Sequence, residues 1–273
     1  MTRRKRRALD LTIPDMTPRP AFVEWLPELR RLAWRAGELV MSVYAGNCNA
    51  RVKADASPVT DADEQAEALI VAGLASLAPT LPIVAEEAVA AGRVPPIGER
   101  FWLVDPLDGT REFVQRNLEF TVNIALIEQG RPVLGVVLAP ALGQLYSGAA
   151  GVGAWRHDTT GETAIHCRRV PPAGLTVLAS RSHGDEAALR AFLDDRQIAA
   201  IRHVGSSLKL CLLAAGEADL YARFGRTMEW DIAAGHAVLA AAGGHLRDLA
   251  GQAVGYGKPG FENPDFVAQG LVS

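Results

Sequence analysis

Two aspartates three residues apart stand where a short apolar segment ends, in residues 101–110 (Phe-Trp-Leu-Val-Asp-Pro-Leu-Asp-Gly-Thr). The apolar residues before Asp105 predict a buried strand. Pro106 fixes its own φ and Gly109 accepts backbone angles closed to other residues, so we expect a sharp turn after the strand. The turn would bring Asp105 and Asp108 together, where two carboxylates repel each other unless a proton or cation intervenes. A hard divalent cation, Mg²⁺ above all, is the natural occupant because it prefers oxygen ligands.

Other acids stand where predicted elements begin or end. Glu86 follows a short apolar strand, and Asp231 opens a helix. Asp63 lies in the first turn of a helix, where it can form a capping pair with Thr60. These positions also have structural explanations: Glu86 could lie on the surface, and Asp231 could cap a helix. The segment from Asp105 to Thr110 could likewise be an ordinary turn or helix cap, because both favour Asp, Gly and Thr. The spacing alone therefore leaves convergence of the acids open.

Length and composition bound the class of protein. The 273 residues suffice for one large domain or two closely packed ones, and an apolar fraction of 49% with a charged fraction of 22% is typical of a soluble globular protein. The net charge of −3 includes +5 from the basic residues at positions 3–7, which leaves −8 for the remainder. A globule that acidic is a poor nucleic-acid binder, so no nucleic-acid partner is predicted.

The cysteines and the start of the chain indicate the compartment. Cys48, Cys167 and Cys211 are odd in number and far apart, which predicts free thiols in a reducing cytoplasm. Acids and a proline at positions 10–15 argue against a signal peptide, and no apolar run reaches membrane-spanning length. We interpret residues 1–19 as a disordered basic tail, which would also allow peripheral contact with anionic lipid at the inner face of the cell membrane.

The first half, residues 20–157, predicts an α+β subdomain. Apolar residues recur at helical spacing over 20–44, and a second helix begins after Thr60. Residues 82–85 predict a strand that runs into Glu86 and Glu87, whose side chains would point in different directions. An antiparallel meander follows, with predicted strands at 120–127, 133–138, 145–147 and 153–155.

The second half, residues 158–273, changes to an alternation of strands and helices. Strands are predicted at 176–179, 201–204 and 218–221, and helices at 185–195, 208–215 and 230–243. Alternation of this kind is typical of an α/β layer. The fold class predicted for the chain is therefore a mixed α/β (α+β) layered sandwich, with an antiparallel meander in the first half and an α/β layer in the second.

Three patterns combine acids with small residues: Glu86-Glu87, Asp105-Pro-Leu-Asp-Gly-Thr110 and Trp230-Asp231-x-Ala-x-Gly. Together they resemble the defining motifs of the inositol monophosphatase superfamily of metal-dependent, lithium-sensitive phosphatases. Within it, matches over 102–113, 116–117, 119–127, 180–183, 205–209 and 221–225 are similar to the CysQ-type 3′(2′),5′-bisphosphate nucleotidases. The likeness covers about residues 20–273 and implies the superfamily's αβαβα layered sandwich.

The resemblance implies a set of magnesium ligands and a group that activates water. The ligands of two or three Mg²⁺ ions would be oxygen atoms of Glu86, Asp105, Asp108 and Asp231 and the backbone carbonyl of Leu107. All are donors that suit Mg²⁺, and Asp105 would bridge two ions. The hydroxyl of Thr110 and the carboxylate of Asp63 would orient the attacking water and accept its proton. The implied catalytic residues are therefore Asp63, Asp105 and Thr110.

The resemblance also implies where the substrate binds. Peptide N–H groups of Gly109 and Thr110, at a helix start, suit phosphate oxygens. Inositol-specific members carry an acid near position 223, whereas Arg223 of this chain could hold a second phosphate; a surface or structural arginine is the alternative. The implied substrate-binding residues are Glu86, Leu107, Asp108, Gly109, Thr110, Ser206, Lys209, Arg223 and Asp231.

Four further residues carry polar side chains: Arg181, Tyr256, His183 and His236. Arg181 and Tyr256 are weaker candidates for nucleotide contacts. His183 and His236 are interpreted as structural, because Mg²⁺ prefers oxygen ligands.

These implications lead to one expected activity and two rivals. The expected activity is a cytoplasmic, Mg²⁺-dependent phosphatase that hydrolyses the 3′-phosphate of adenosine 3′,5′-bisphosphate, a by-product of sulfur assimilation, to AMP and phosphate. The alternative is an inositol monophosphatase or other sugar phosphatase with the same machinery. A non-catalytic nucleotide sensor or membrane-associated scaffold would be favoured if a ligand acid were missing, and none is. The sequence leaves the oligomeric state open.

Overall fold

The first two helices lie where the sequence predicts them. The structure is a computed structural model that describes residues 21–46, 50–52, 58–181 and 185–271. A 3₁₀ turn, Ala21–Trp25, leads into α1 (Leu26–Ala45). Two short strands follow, β1 (Arg51–Val52) and β2 (Pro58–Val59), and then α2 (Asp61–Leu77). The predicted basic tail at 1–19 lies outside the described residues, as do Cys48 and His183.

A seven-stranded sheet forms the centre of the first half. Its strands are β3 (Ile83–Ala85), β4 (Arg100–Asp108), β5 (Thr121–Glu128), β6 (Arg131–Ala139), β7 (Gln144–Ala149), β8 (Gly153–Asp158) and β9 (Gly161–Ile165), in that order across the sheet. Strands β3 and β4 are parallel, and the pairs from β4 to β9 are antiparallel. Short helices α3 (Glu86–Ala90) and α4 (Thr110–Val114) flank β4. The predicted meander is confirmed, while β9 was not predicted.

Strand β4 continues past the point where the sequence predicts its end. Its pairing with β5 shifts register between Asp105 and Asp108, so Pro106 and Leu107 form a β-bulge. A bulge tolerates proline because the ladder hydrogen bond is already interrupted there. The strand therefore ends three residues later than predicted, at Asp108, and the sharp turn follows at Gly109, whose φ is +89°.

A five-stranded sheet forms the second half. In chain order the elements are β10 (Leu175–Ser180), α5 (Glu186–Leu193), β11 (Ile198–Val204), α6 (Leu208–Ala214), β12 (Leu220–Arg223), α7 (Glu229–Ala241), β13 (His245–Asp248) and β14 (Phe266–Gln269). The strand order is β11-β10-β12-β14-β13. Strand β10 is parallel to β11 and β12, and strand β14 is antiparallel to β12 and β13. The predicted alternation is confirmed as far as α7.

Alternate residues of the strands face different layers. In β10, Leu178 packs with α6 and α7, whereas Val177 and Ala179 pack with Leu189 and Leu193 of α5. The layers are therefore α1 with α2, the seven-stranded sheet, α6 with α7, the five-stranded sheet, and α5. This order confirms the predicted αβαβα layered sandwich.

Helix α7 lies unusually close to the seven-stranded sheet, against β5, β6 and β7. A Cβ atom at Gly135 of β6 would stand 2.3 Å from the carbonyl oxygen of Ala234. Only glycine therefore permits this approach without a shift of the helix. Because α7 begins just before Asp231, the contact also fixes how far that acid stands above the sheet.

The seven-stranded sheet continues to Ile165, past the predicted boundary at residue 157. The division of the chain into two subdomains stays a prediction. Within the described ranges, no helix has both the length and the apolar character needed to cross a bilayer.

Candidate active site

A cavity of about 490 Å³ opens where α3, the end of β4, the segment before α6 and the start of α7 meet. Its volume lies in the range of small-molecule sites. The wall includes every predicted metal ligand and substrate-binding residue: Glu86, Asp105, Leu107, Asp108, Gly109, Thr110, Ser206, Lys209, Arg223 and Asp231. Asp63 stands behind Thr110 rather than on the wall. The fold therefore brings the predicted residues together, while the role of each one stays a prediction.

Backbone donors hold the two aspartates at the bulge of β4. Oδ1 of Asp105 accepts a hydrogen bond from the N–H of Leu107 at 3.0 Å. Oδ2 of Asp108 accepts one at 2.5 Å from the N–H of Ser207, which lies in the other half of the chain. Both carboxylates are therefore oriented by main-chain groups rather than by flexible side chains.

Asp231 has two roles that the sequence presents as alternatives. Its Oδ2 accepts a hydrogen bond from the N–H of Met228 at 2.8 Å, which caps the start of α7. The same side chain lines the cavity. The helix cap thus holds the acid in place at the cavity wall.

Burial and mutual repulsion raise the pKa values of these acids. Burial raises the pKa of Asp105 well above its usual value, and the charges of Glu86, Asp108 and Asp231 raise it further. The pKa of Asp231 is raised by burial and then by Asp108 and Glu86. That of Asp108 rises to about 6, chiefly through burial, while the ammonium group of Lys209 opposes the shift. Acids from three separate segments of the chain therefore contribute to these raised pKa values.

The acids are close enough to shift the pKa values of Asp105, Asp108 and Asp231, but they do not form a complete metal coordination shell. In the part of the chain that the structure describes, no three Asp, Glu, His or Cys side chains are grouped closely enough to hold a metal ion. The donors are nevertheless carboxylate and carbonyl oxygens, which Mg²⁺ prefers, and a divalent cation would relieve the repulsion that raises the pKa values. The residues present therefore fit a hard divalent cation.

A second arrangement links α2 to the turn after β4. Oδ2 of Asp63 accepts hydrogen bonds from the N–H and the hydroxyl of Thr60, both at 2.7 Å. Oδ1 lies 3.1 Å from the hydroxyl of Thr110, which is also 3.1 Å from the carbonyl oxygen of Leu107. Burial raises the pKa of Asp63 to about 6, although the hydrogen bonds from Thr60 oppose the shift. Asp63 thus caps α2 with one oxygen and contacts Thr110 with the other.

Lys209 holds a backbone segment at the cavity wall. Its Nζ donates to the carbonyl oxygens of Val204 at 3.1 Å and Ser206 at 2.6 Å, and it lies 5.1 Å from the centre of the Tyr221 ring. Burial lowers the pKa of Lys209 to about 8, with Asp108 opposing. Ser206 has a φ of +52°, which is uncommon for a residue other than glycine. The contacts of Lys209 therefore stabilise the conformation that places Ser206 in the wall.

Arg223 brings a nearly buried positive charge to the same wall. It ends β12, is 7% exposed, and donates from Nη2 to the carbonyl oxygen of Arg226 at 2.9 Å. Its charge lowers the pKa of both Asp231 and Lys209, so it lies near the two. A guanidinium group in this position suits a phosphate group on a ligand, since it presents several donors in one plane.

Arg181, Tyr256 and His236 have structural contacts away from the cavity wall. The guanidinium group of Arg181 donates twice to Glu119 at 2.9 Å and once to the carbonyl of His203 at 2.7 Å. Nδ1 of His236 lies 2.8 Å from the hydroxyl of Tyr256, and burial lowers the pKa of His236 to about 4. Each of these side chains therefore has a partner within the fold.

Several residues near the cavity were not predicted. Glu112 and Ser207 line the wall and are nearly buried. Glu86 begins helix α3 instead of extending β3 as predicted, and the N–H of Glu87 donates to the buried carboxylate of Glu67 at 2.7 Å. The one signal in the sequence for Glu67 is its spacing, one helical turn after Asp63.

Comparison with known proteins supports what the fold and the cavity indicate. The model of the inositol monophosphatase family matches residues 23–271. The chain is 47% identical to the 3′(2′),5′-bisphosphate nucleotidases CysQ of Shigella flexneri and Escherichia coli K12, over 88% of this chain and 98% of each relative. It resembles the crystal structure of CysQ from Bacteroides thetaiotaomicron with a TM-score of 0.79 and 33% identity, over 93% of this chain and 99% of that one. An IMPase of Thermotoga maritima gives a TM-score of 0.75 and 28% identity, over 90% and 92%.

The chain belongs to the inositol monophosphatase family. It is an enzyme, a phosphoric monoester hydrolase. The resemblance to CysQ-type nucleotidases that the motifs indicate is confirmed by the curated relatives and by the fold.

Proposed function

We propose that the chain is a Mg²⁺-dependent 3′(2′),5′-bisphosphate nucleotidase that hydrolyses the 3′-phosphate of adenosine 3′,5′-bisphosphate to AMP and phosphate. The observation that carries the proposal is a single cavity whose wall combines five acids with four basic residues, namely Glu86, Asp105, Asp108, Glu112 and Asp231 with Arg111, Lys209, Arg223 and Arg226. The acids suit a divalent cation, and the basic side chains suit the second phosphate of a bisphosphate. Curated relatives at 47% identity bear the nucleotidase name.

The metal ions would be held by oxygen donors from three segments of the chain. The proposed ligands of two or three Mg²⁺ ions are Glu86, Asp105, Asp108, Asp231 and the carbonyl oxygen of Leu107. When bound, Mg²⁺ neutralises phosphate charge and lowers the pKa of a coordinated water. The carboxylate oxygens of Asp105 and Asp108 are already held in position, because each accepts a hydrogen bond from a backbone N–H group, that of Leu107 and that of Ser207 respectively.

Thr110 and Asp63 would orient the attacking water and take up its proton. The hydroxyl of Thr110 can accept a hydrogen bond from the water while it donates to Oδ1 of Asp63 at 3.1 Å. A carboxylate with a pKa of about 6 is deprotonated at neutral pH and is still basic enough to receive a proton. Thr60 keeps the carboxylate in place during this exchange, because it donates twice to Oδ2.

Phosphate groups would be bound by the backbone after β4 and by Arg223. The N–H groups of Gly109 and Thr110 are proposed to contact the phosphate that is hydrolysed. Arg223 is proposed to contact the phosphate that stays on the nucleotide. A charged hydrogen bond of this kind contributes about 1.5–3 kcal/mol to binding. Loss of Arg223 should therefore weaken the binding of bisphosphates and leave the binding of single-phosphate esters unchanged.

Turnover of two substrates by wild-type protein and one variant tests the proposal. We expect adenosine 3′,5′-bisphosphate to be hydrolysed in preference to inositol 1-phosphate, and activity to disappear when Mg²⁺ is chelated. Arg223→Gln should raise the KM for the bisphosphate by about tenfold or more and leave that for inositol 1-phosphate unchanged. Arg190→Gln, an exposed arginine on α5, is the matched control. Turnover of the inositol ester alone would contradict the proposed substrate.

An inositol monophosphatase or other sugar phosphatase is the second candidate. The solved relative from Thermotoga maritima named IMPase favours it, because its fold covers 90% of this chain. The same ions and the same Asp63–Thr110 pair would serve that reaction. Arg223 distinguishes the two candidates, since a single-phosphate ester offers it no second phosphate.

A further inference from the structure

Helix α2 carries two buried acids one turn apart, Asp63 and Glu67. The first contacts Thr110, as described above. The second points to α3, where the N–H of Glu87 donates to Oε2 of Glu67 at 2.7 Å. The N–H of Ala88 lies near the same carboxyl and, with that of Glu87, opposes the rise in its pKa that burial causes. One helix therefore reaches two separate parts of the site.

Helix α3 does not supply its own N-terminal cap. It has five residues, and Ala85 at the N-cap position makes no side-chain hydrogen bond to it. The first N–H groups of a helix need acceptors, and a helix this short is not stable in isolation. Glu67 provides the acceptor from another helix, with the negative charge that the N-terminal dipole favours.

The burial of Glu67 also needs an explanation. It is 6% exposed, and apart from Asp63 the other buried positions of α2 are apolar: Ala62, Ala66, Ile70 and Leu74. Burying a carboxylate costs free energy unless hydrogen bonds compensate. The hydrogen bond from the N–H of Glu87, with the N–H of Ala88 nearby, is that compensation, and both groups belong to the residues that directly follow Glu86.

We propose that Glu67 is a positioning residue for Glu86. By fixing the first turn of α3, its carboxylate holds the Glu86 side chain in the cavity wall, where the charge of Glu86 acts on Asp63, Asp105 and Asp231. Glu67 is absent from the wall itself. The inference rests on the proposed function, in which Glu86 is a metal ligand.

Hydrogen exchange of the metal-free protein tests the contact directly. In Glu67→Ala, the amides of Glu87 and Ala88 should exchange about tenfold faster or more, the scale of one lost helix cap. Glu67→Gln keeps an oxygen acceptor and should preserve most of the protection. Glu64→Ala, the same substitution at an exposed position one turn earlier in α2, should leave both amides unchanged.

Manganese binding tests the consequence for the site. Mn²⁺ also favours oxygen ligands, and unbound Mn²⁺ can be measured by electron paramagnetic resonance. Glu67→Ala should weaken Mn²⁺ binding on the order of tenfold or more, as losses of partners behind metal ligands do. Glu67→Gln should recover most of the affinity, and Glu64→Ala should bind as the wild type does. A melting temperature for each variant shows that the fold is retained.

The possible results separate the inference from the proposed function. Unchanged exchange at Glu87 and Ala88 in Glu67→Ala would overturn the contact. Faster exchange with unchanged Mn²⁺ affinity would show that Glu67 is only a helix cap, and would overturn its positioning role. A wild-type protein that binds no Mn²⁺ would overturn the proposed function on which the inference rests.

Discussion

Asp63 divides its carboxylate between two elements. One oxygen accepts hydrogen bonds from Thr60 and caps α2, and the other contacts Thr110 in the turn after β4. Asp231 likewise caps α7 and lines the cavity. A helix cap and a functional group are therefore compatible roles for one acid, because the cap gives the side chain a position fixed by the backbone.

Loss of the Thr110 hydroxyl tests the proposed path of the proton. Thr110→Ala should lower kcat by about 10²–10⁴-fold, the usual contribution of general acid–base catalysis. Thr110→Ser keeps the hydroxyl and should retain most of the activity. The measurement is steady-state kcat at saturating substrate and Mg²⁺, with the melting temperature as a check on folding. An equal loss in both variants would argue that the methyl group, not the hydroxyl, is needed.

Residues of the site differ in how far the sequence could predict them. Asp105 and Asp108 stand in a short motif whose residue types already indicate a cation. Ser207 donates to Asp108 from 99 positions away, and Glu67 contacts Glu87 from 20 positions away. Contacts between such distant residues depend on how the elements pack, and no local pattern in the sequence specifies that packing.

At the scale of elements, prediction succeeded where local chemistry was sufficient. Apolar residues recur at helical spacing in α1 and α2, and α2 has in addition a capping pair at Thr60. Strand β9 was missed because four of its five residues are exposed, which leaves no buried alternation to detect. Strands β13 and β14 have four residues each, too few to establish a period. The start of α3 was misassigned because its cap comes from Glu67, on another helix.

The contact between α7 and the seven-stranded sheet can be tested at Gly135. Gly135→Ala places a methyl group against the carbonyl oxygen of Ala234, so it should lower the free energy of unfolding by about 1–3 kcal/mol. Chemical denaturation monitored by circular dichroism measures the change. The matched control is Gly98→Ala, at an exposed position where an added Cβ has no neighbour within 4 Å. Equal stability of the two variants would contradict the close packing described for α7.

At the scale of the whole molecule, the cavity lies where the two halves of the chain meet. The first half contributes Asp105 and Asp108 at the bulge of β4, and the second contributes Asp231 and Arg223. The buried acids raise one another's pKa values within this space. The arrangement therefore costs stability at neutral pH, unless protons or cations reduce the repulsion.

This cost predicts how Mg²⁺ stabilises the protein at different pH values. The pKa of Asp63 and that of Asp108 rise from 3.8 to about 6 in the fold, so protonation of these acids stabilises the folded state below about pH 6 and this contribution is lost as pH rises through 6. The pKa of His236, lowered to about 4, opposes the trend below 6.5. Because protons compete with the cation for the carboxylate oxygens of Asp108 and the other proposed ligands, Mg²⁺ should raise the melting temperature more at pH 7.5 than at pH 5.5.

Thermal unfolding with Mg²⁺ and with a chelator, at both pH values, measures this difference. The difference between the two conditions at one pH removes the contribution of His236, which is the same in both. A larger increase at pH 5.5 would contradict the view that the acids of the cavity bind the cation.

Turnover of Asp105→Asn tests most directly the claim that these acids hold a divalent cation against a phosphate ester. The substitution keeps the shape of the side chain and removes a charge that three other acids repel. We predict that kcat falls by at least about a thousandfold, since a metal contributes several kcal/mol to such a reaction, while the melting temperature of the metal-free protein is unchanged or higher. Asp195→Asn, at an exposed position, should retain full activity. Undiminished turnover by Asp105→Asn would contradict the metal site and the mechanism built on it.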